Sequence, residues 1–394
     1  MGGKNADVGI VTFHCSNNYG AMLQAYGLKR FLLDHNIEAE IVRYEPPYMT
    51  GRHWWIPYAP IQGLKGRIWG LFHLWNGFWS HMQVREDFSR QRANMNRFRR
   101  EYLLEKGQRK MVSVLGFRRM SCRYYIVGSD QIWNPAITCG LRKAYFGAFA
   151  AKRKEKVIAY AASFGGASIP PRYDKRFSQL VRHVDALSVR EEAAVPYVKK
   201  FYPGEVRAVL DPVFFTGREV WRAAEKIPRQ KGYIFVYVTE PNRNMEDYAK
   251  KLSLEKHLPV IEVCAGLQGR DQGFQTDVTA GPAEFLGYIH HAEYVVTNSF
   301  HAVAFSIIYR KKFLAFAHSS LSTRLQNILQ IHGLENKICR DGDRKDIDLR
   351  VDWEEVDRRT AEAVKESGDF LLENLQGAML NTGRKTTAGR WGQQ

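Results

Sequence analysis

Residues 292–316, AEYVVTNSFHAVAFSIIYRKKFLAF, constrain the fold more than any other stretch. AEYVVT is a short β-branched and aromatic run of the kind a buried parallel strand uses. AVAFSIIYR then carries apolar residues at Val303, Ala304, Ile307 and Ile308, which form a helical stripe. KKFLAFA is a second buried strand. This strand–turn–helix–strand unit is the signature of an α/β chain. It puts Asn298, Ser299 and His301 at the carboxyl end of a strand and the start of a helix. Open α/β sheets bind ligands at that edge, and a helix N-terminus offers free N–H groups to an anion. The plainer alternative is that Ser299 caps the helix and His301 fills a polar corner.

The same alternation recurs along the chain. Residues 8–44 read as strand VGIVTF, loop HCSNNYG, helix AMLQAYGLKRFLLDHN and strand EAEIVRY, with Asn17, Asn18 and Gly20 forming a turn before the helix. Strands YYIVGS, KVIAYAAS, ALSVR and AVLDPVF follow. A second α/β set begins near Gly232, and the halves join near Asp211–Pro212. A chain of 394 residues is too long for one ordinary core. The expected division is therefore 1–210, with an aromatic and basic insertion at 45–123; 211–345; and a C-terminal helix and tail at 346–394. The charged helix from Val351 to Leu375 is placed to return to the first domain.

A hydrophobic content of 45% and a charged content of 25% fit a globular protein. No run of about 18 uncharged apolar residues is present, so no transmembrane helix is expected, and the N-terminus lacks a signal-peptide pattern. The five cysteines, Cys15, Cys122, Cys139, Cys264 and Cys339, show no metal-ligand spacing and read as reduced cytoplasmic thiols. No metal is expected. His290 and His291 close a helix and meet its dipole. The net charge of +17 points to an anionic partner. Nucleic acid is disfavoured, because no base-stacking module is recognisable. Beside the basic segment Arg85–Arg123, an apolar stripe runs from Ile68 to Met82 and includes Trp75 and Trp79. Such a face either docks on an anionic membrane surface or packs on the first domain or on a second subunit.

Six segments converge in order: VGIVTFHCSNNYGAMLQAYGLKRFL, YYIVGSDQIWNP, VIAYAASFG, LSVREEAAV, VLDPVF and VTNSFHAVAFSIIYRKKF. Together they resemble the polysaccharide pyruvyl transferase family over roughly residues 8–335. The resemblance implies two Rossmann-like domains facing a cleft, the glycosyltransferase-B-type arrangement. It also implies transfer of pyruvate from phosphoenolpyruvate to two hydroxyls of one sugar, forming a ketal on a surface glycan or lipid-linked precursor. Phosphoenolpyruvate would be a co-substrate, and no cofactor is implied. The best-studied members carry Arg-x-His where this chain has Ser299-Phe300-His301. A bacterial branch reads Thr-Asp-Ser-Phe-His-Gly, against which this chain has Asn298 for Asp and Ala302 for Gly.

Ketal formation needs cations and N–H donors for the donor's charges, and a group that gives and takes protons. His301 suits the proton work. Asp130, ending YYIVGSD, would accept a proton from a hydroxyl or hydrogen-bond a sugar. For the donor, Ser299 stands at the helix start. The resemblance puts Arg190 near the phosphate, with an exposed ion pair to Glu191 or Glu192 as the alternative. Arg324 would replace the arginine absent before His301, or is a surface residue. For the acceptor, Trp133 and Asn134 would hold a pyranose ring, although Trp133 suits core packing as well. Asn17, Asn18 and Tyr19 would contact the acceptor or brace the interdomain cleft. The rival reading is a nucleotide-sugar-dependent glycosyltransferase of the same fold, since fold does not fix function.

Overall fold

A computed structural model describes residues 6–49, 85–120, 122–149, 155–264, 273–317, 322–340, 343 and 345–376. The stripe from Ile68 to Met82 and the tail beyond 376 lie outside the described residues. Among the described residues no helix is long and apolar enough to cross a membrane.

Strand β1 (Val8–Val11) is buried at every residue, as a parallel strand covered on both faces must be. It joins β2 (Ala39–Ile41), β3 (Tyr124–Asp130), β4 (Lys156–Ala162), β5 (Ala186–Val189) and β6 (Val206–Ala208) in an all-parallel sheet of order β2-β1-β3-β4-β5-β6. The second sheet is also six-stranded and parallel, of order β12-β11-β10-β7-β8-β9. It contains β7 (Ile234–Tyr237), β8 (Val260–Val263), β9 (Gln275–Asp277), β10 (Tyr294–Thr297), β11 (Lys312–Phe316) and β12 (Ile338–Cys339). The opening motif is therefore β10, a helix and β11, paired in register from Tyr294 with Lys312 to Thr297 with Ala315.

The helices are α1 (Tyr19–Asp34), α2 (Arg85–Phe98), α3 (Asp174–Val181), α4 (Val195–Lys199) and α5 (Arg218–Ala224), then α6 (Arg243–Lys256), α7 (Pro282–His291), α8 (Phe300–Ile308), α9 (Ser322–Ile331) and α10 (Trp353–Asn374). Their starts follow the capping chemistry of the sequence. Asn18, Asn242, Ser299 and Asp352 each accept a backbone N–H of the first turn. Helix α7 starts with Pro282, and Glu284 reaches back to the N–H of Gly281.

Each sheet has a switch point, between β1 and β3 and between β7 and β10, and ligands of open α/β sheets bind at such points. The carboxyl ends of the two sheets meet, giving two Rossmann-like domains that face each other in the glycosyltransferase-B-type arrangement. They share one apolar core, in which Tyr19, Met22 and Leu23 of α1 join Phe285, Phe300 and Phe305 of the second half.

Two further elements tie the halves together. Helix α10 returns to the first sheet, where Lys156 Nζ donates to the carbonyl of Asn374 at 3.1 Å and Leu210 N to Ser367 Oγ at 2.9 Å. Helix α2, in the basic segment, is not merely a solvated face. Gln91 Nε2 donates to the carbonyl of Cys264 at 3.1 Å and Asn94 Nδ2 to that of Thr279 at 2.9 Å. Just beyond its end, Arg99 grips the loop after β1 through the carbonyls of His14, Cys15 and Ser16 and through Asn17 Oδ1.

Candidate active site

The site forms where the loop after β10 meets the end of β3 and the loops after β5 and β6. Asn298 fixes the second-half side. Its Oδ1 accepts from Thr239 N at 2.8 Å and from Thr239 Oγ1 at 3.0 Å, and its Nδ2 donates to the carbonyl of Glu240 at 2.7 Å. These bonds lock β10 to the loop after β7 across the switch point. Ser299 Oγ accepts from Ala302 N at 3.4 Å, so this hydroxyl caps α8. The capping alternative describes Ser299 better than donor binding does.

His301, in the first turn of α8, is 9% exposed. Its Nε2 lies 3.8 Å from Asp211 Oδ2, an ion-pair distance too long for a hydrogen bond. Its Nδ1 abuts Gly20, where a Cβ would stand only 1.9 Å away. The sequence reading gave Gly20 to a turn. It is instead helical, with no positive φ, and its missing side chain makes room for the imidazole.

Asp211 is the residue that the sequence reading treated only as a junction. It accepts from Arg190 Nη1 at 2.9 Å and from Ser129 Oγ at 3.2 Å through Oδ2, and from Val213 N at 3.2 Å through Oδ1. Burial pushes its carboxyl up, but His301 and Arg190 more than offset this and hold it down at about 2. An ionised Asp211 is thus positioned to stabilise an imidazolium at His301. The signal was present in VLDPVF, where an Asp follows a strand and precedes a Pro.

Arg190 does pair with Glu191, but the pair is buried rather than exposed. It is 2% exposed, with Nε 3.1 Å from Glu191 Oε1, Nη1 2.9 Å from Asp211 and Nη1 3.5 Å from Asp130 Oδ1. Its guanidinium lies 4.5 Å from the centre of the Phe300 ring. Burial works against its charge, yet Glu191, Asp130 and Asp211 outweigh it and raise its pKa. Three carboxylates surround it, so Arg190 organises the site, while its Nη2 is buried with no hydrogen-bond partner among the described residues. Its backbone is clasped from the second half, Asn327 Nδ2 donating to the Arg190 carbonyl at 3.3 Å.

Arg324, near the start of α9, also has an unused donor: its Nε is buried with no hydrogen-bond partner, and it forms no ion pair, among the described residues. Burial, then repulsion from Arg190, lowers its pKa. A sheltered guanidinium with unused donors is suited to an incoming anion.

Asp130 ends β3 in a left-handed conformation, φ 74°, with Oδ1 accepting from Gln131 N at 2.8 Å. It lies beside Arg190 at the sheet edge. Trp133 is corrected: it is fully buried, donates from Nε1 to the Tyr145 carbonyl and stacks on Phe146 at 5.0 Å. Shut inside the core, it offers no face to a sugar. Asn134 is used within its own loop, donating to Gln131 Oε1 and accepting from Ala136 N. Tyr19 takes its bracing alternative. It is buried, stacks on Phe285 at 4.9 Å and donates toward the carbonyl of Ala280 at 3.2 Å. Asn17 and Asn18 are exposed, one held by Arg99 and the other capping α1. Burial pushes the Cys15 thiol up to about 12, so it stays protonated.

Among solved structures, a UDP-GlcNAc 2-epimerase from Methanocaldococcus jannaschii is 10% identical with a TM-score of 0.45, covering 94% of this chain and 99% of that one. One from Neisseria meningitidis is 8% identical with a TM-score of 0.47, at 94% and 99% coverage. No curated protein matches the sequence. The family profile described as polysaccharide pyruvyl transferase matches residues 18–320, most of the chain, a range that holds Asp130, Arg190, Asp211 and His301 and stops short of Arg324. The chain therefore belongs to the polysaccharide pyruvyl transferase family.

Proposed function

We propose that the protein transfers pyruvate from phosphoenolpyruvate to two hydroxyls of one sugar in a glycan or its lipid-linked precursor, in the cytoplasm. The observation that carries this reading is the pairing of one imidazole, His301, with an ionised carboxylate, Asp211, together with Arg324, whose Nε is buried without a partner among the described residues.

The reaction asks for these parts. Protonation at C3 of the donor makes C2 electrophilic, and a sugar hydroxyl adds there as it loses its proton. The C2–O bond to phosphate breaks, phosphate leaves, and the second hydroxyl adds to close the ketal. His301 gives and takes the protons. Asp211 stabilises the charged ring, and Arg324 holds a donor oxyanion. Arg190, with Asp211, Glu191 and Asp130, keeps the frame in place.

Incubation with phosphoenolpyruvate and lipid-linked glycans tests this. The expected result is a mass gain of one condensed pyruvate with release of one phosphate, absent in His301→Ala. Protection of the protein by a nucleoside diphosphate, with none by phosphoenolpyruvate, would favour a sugar-nucleotide donor instead.

A further inference from the structure

Away from the site, Glu225, His290 and His291 form a second cluster. Glu225 follows α5, in the segment that joins the two sheets, and the histidines end α7. His290 Nδ1 lies 3.0 and 2.9 Å from the two carboxylate oxygens of Glu225, and His291 Nε2 lies 3.0 Å from Oε1. We propose that these residues bind a divalent transition-metal ion of the zinc class, which clamps the interdomain segment onto the second half.

The arrangement is built rather than incidental. Gly287, His290 and His291 lie at i, i+3 and i+4 and so share one face of α7. A Cβ on Gly287 would stand 1.9 Å from the carbonyl oxygen of Lys226, so this glycine lets the 225–228 segment lie against the helix. Adjacent residues on a helix point about 100° apart. They converge here because His290 presents its near nitrogen, Nδ1, and His291 its far one, Nε2. Tyr309 stacks on His290 at 4.5 Å and 22°, fixing the ring plane.

Charge and donor chemistry point to a cation. The Glu225 side chain is 5% exposed, and its hydrogen-bond partners among the described residues are the two rings. A buried carboxylate needs positive charge beside it. An imidazole supplies that only when protonated, whereas a divalent ion supplies it at any pH where the ligands are free. The Tyr309 hydroxyl gives a second, independent sign. Tyr309 is 6% exposed and its hydroxyl is buried with no hydrogen-bond partner.

Two imidazoles and a carboxylate suit zinc better than magnesium or calcium, which take oxygen ligands. Tetrahedral ligands on zinc stand about 3.3 Å apart. The present separations to Glu225 need only a few tenths of an ångström of opening. On binding, His290 carries its proton on Nε2 and His291 on Nδ1, leaving Nδ1 and Nε2 free to ligate. The histidines remain 21% and 34% exposed, so an ion reaches them from solvent.

The test uses the full-length protein after chelation, titrated with Co2+ as a spectroscopic probe and then Zn2+. The expected result is one saturating equivalent with tetrahedral d–d absorption and no thiolate charge-transfer band, displaced by Zn2+ but not by Mg2+. Zn2+ should also raise the thermal unfolding midpoint. His290→Ala/His291→Ala should abolish both effects, as should Glu225→Gln, which keeps the side-chain shape. No saturable binding, a thiolate band that puts the ion on cysteine, or binding unchanged in variants that fold would overturn the assignment.

Discussion

Gly20 and His301 touch across the two halves: the helix that follows β1 carries no side chain at the one place where the imidazole of α8 presses against it. Neither residue's role is visible without the other. A methyl at position 20 would fall inside the ring's own volume. Gly20→Ala must therefore displace the imidazole or part the halves. Overpacking of this kind costs about 1–3 kcal/mol. The expected outcome is a modest fall in unfolding midpoint with a loss of turnover out of proportion to it. Normal turnover in Gly20→Ala would mean that the His301 position is not critical.

His301 and Asp211 should separate on different measurements. His301→Ala leaves Asp211 its shorter pair with Arg190, so stability should largely hold while turnover falls about two to four orders of magnitude. Asp211→Asn strips Arg190 of its shortest ion pair. Breaking a buried pair costs about 3–5 kcal/mol, so this variant should unfold early in denaturant. Equal stability of the two variants would show that the Arg190–Asp211 pair does not hold the frame.

Arg324 offers a sign test. Its Nε is buried without a partner among the described residues, so Arg324→Ala should leave the unfolding midpoint unchanged or raise it. If it holds the donor, apparent phosphoenolpyruvate affinity should weaken by the loss of a charge-assisted bond, about 1.5–3 kcal/mol. Arg324→Lys should restore this only in part, since lysine lacks the planar fork. Donor kinetics unchanged in both variants would move the anion site elsewhere.

Acid stability follows from His14 and His332, both fully buried. Burial lowers each from the ordinary 6.5 to about 4. Between those values the unfolded chain binds protons that the folded chain refuses, so stability falls as pH drops through that window. The slope is about 1.2 kcal/mol per pH unit for each histidine. Denaturant midpoints at pH 7 and pH 5 should show it. His14→Asn with His332→Asn should flatten the profile, and an unaltered slope in that double variant would assign the acid lability to other groups.

Much of the architecture was legible because it is written in local periodicity. Strand–helix alternation, the cap at Ser299 and the ligand edge at His301 depend on neighbours a few residues apart. What escaped depends on distance in sequence. Arg190 and Asp211 sit 21 residues apart, after different strands, and no local pattern distinguishes their buried pair from an exposed one. Trp133 illustrates the same limit. Its aromatic–amide neighbourhood suits a sugar, but Phe146, Phe164 and Phe177 enclose it. Trp133→Ala should accordingly lower stability by about 3–5 kcal/mol without a specific change in acceptor kinetics.

Helix α10 changes what kind of joint connects the halves. The chain leaves the first sheet after Ala208 and comes back along α10, and the outgoing and returning segments are bonded to each other at Leu210 and Ser367. Two adjacent passages of chain at one joint have the build of a hinge. His301 and Arg190 lie where the halves meet and are nearly closed to solvent. A transferase acting there on a bulky acceptor would have to part the halves to admit it, so the two strands of chain bonded at Leu210 and Ser367 would flex together in every turnover.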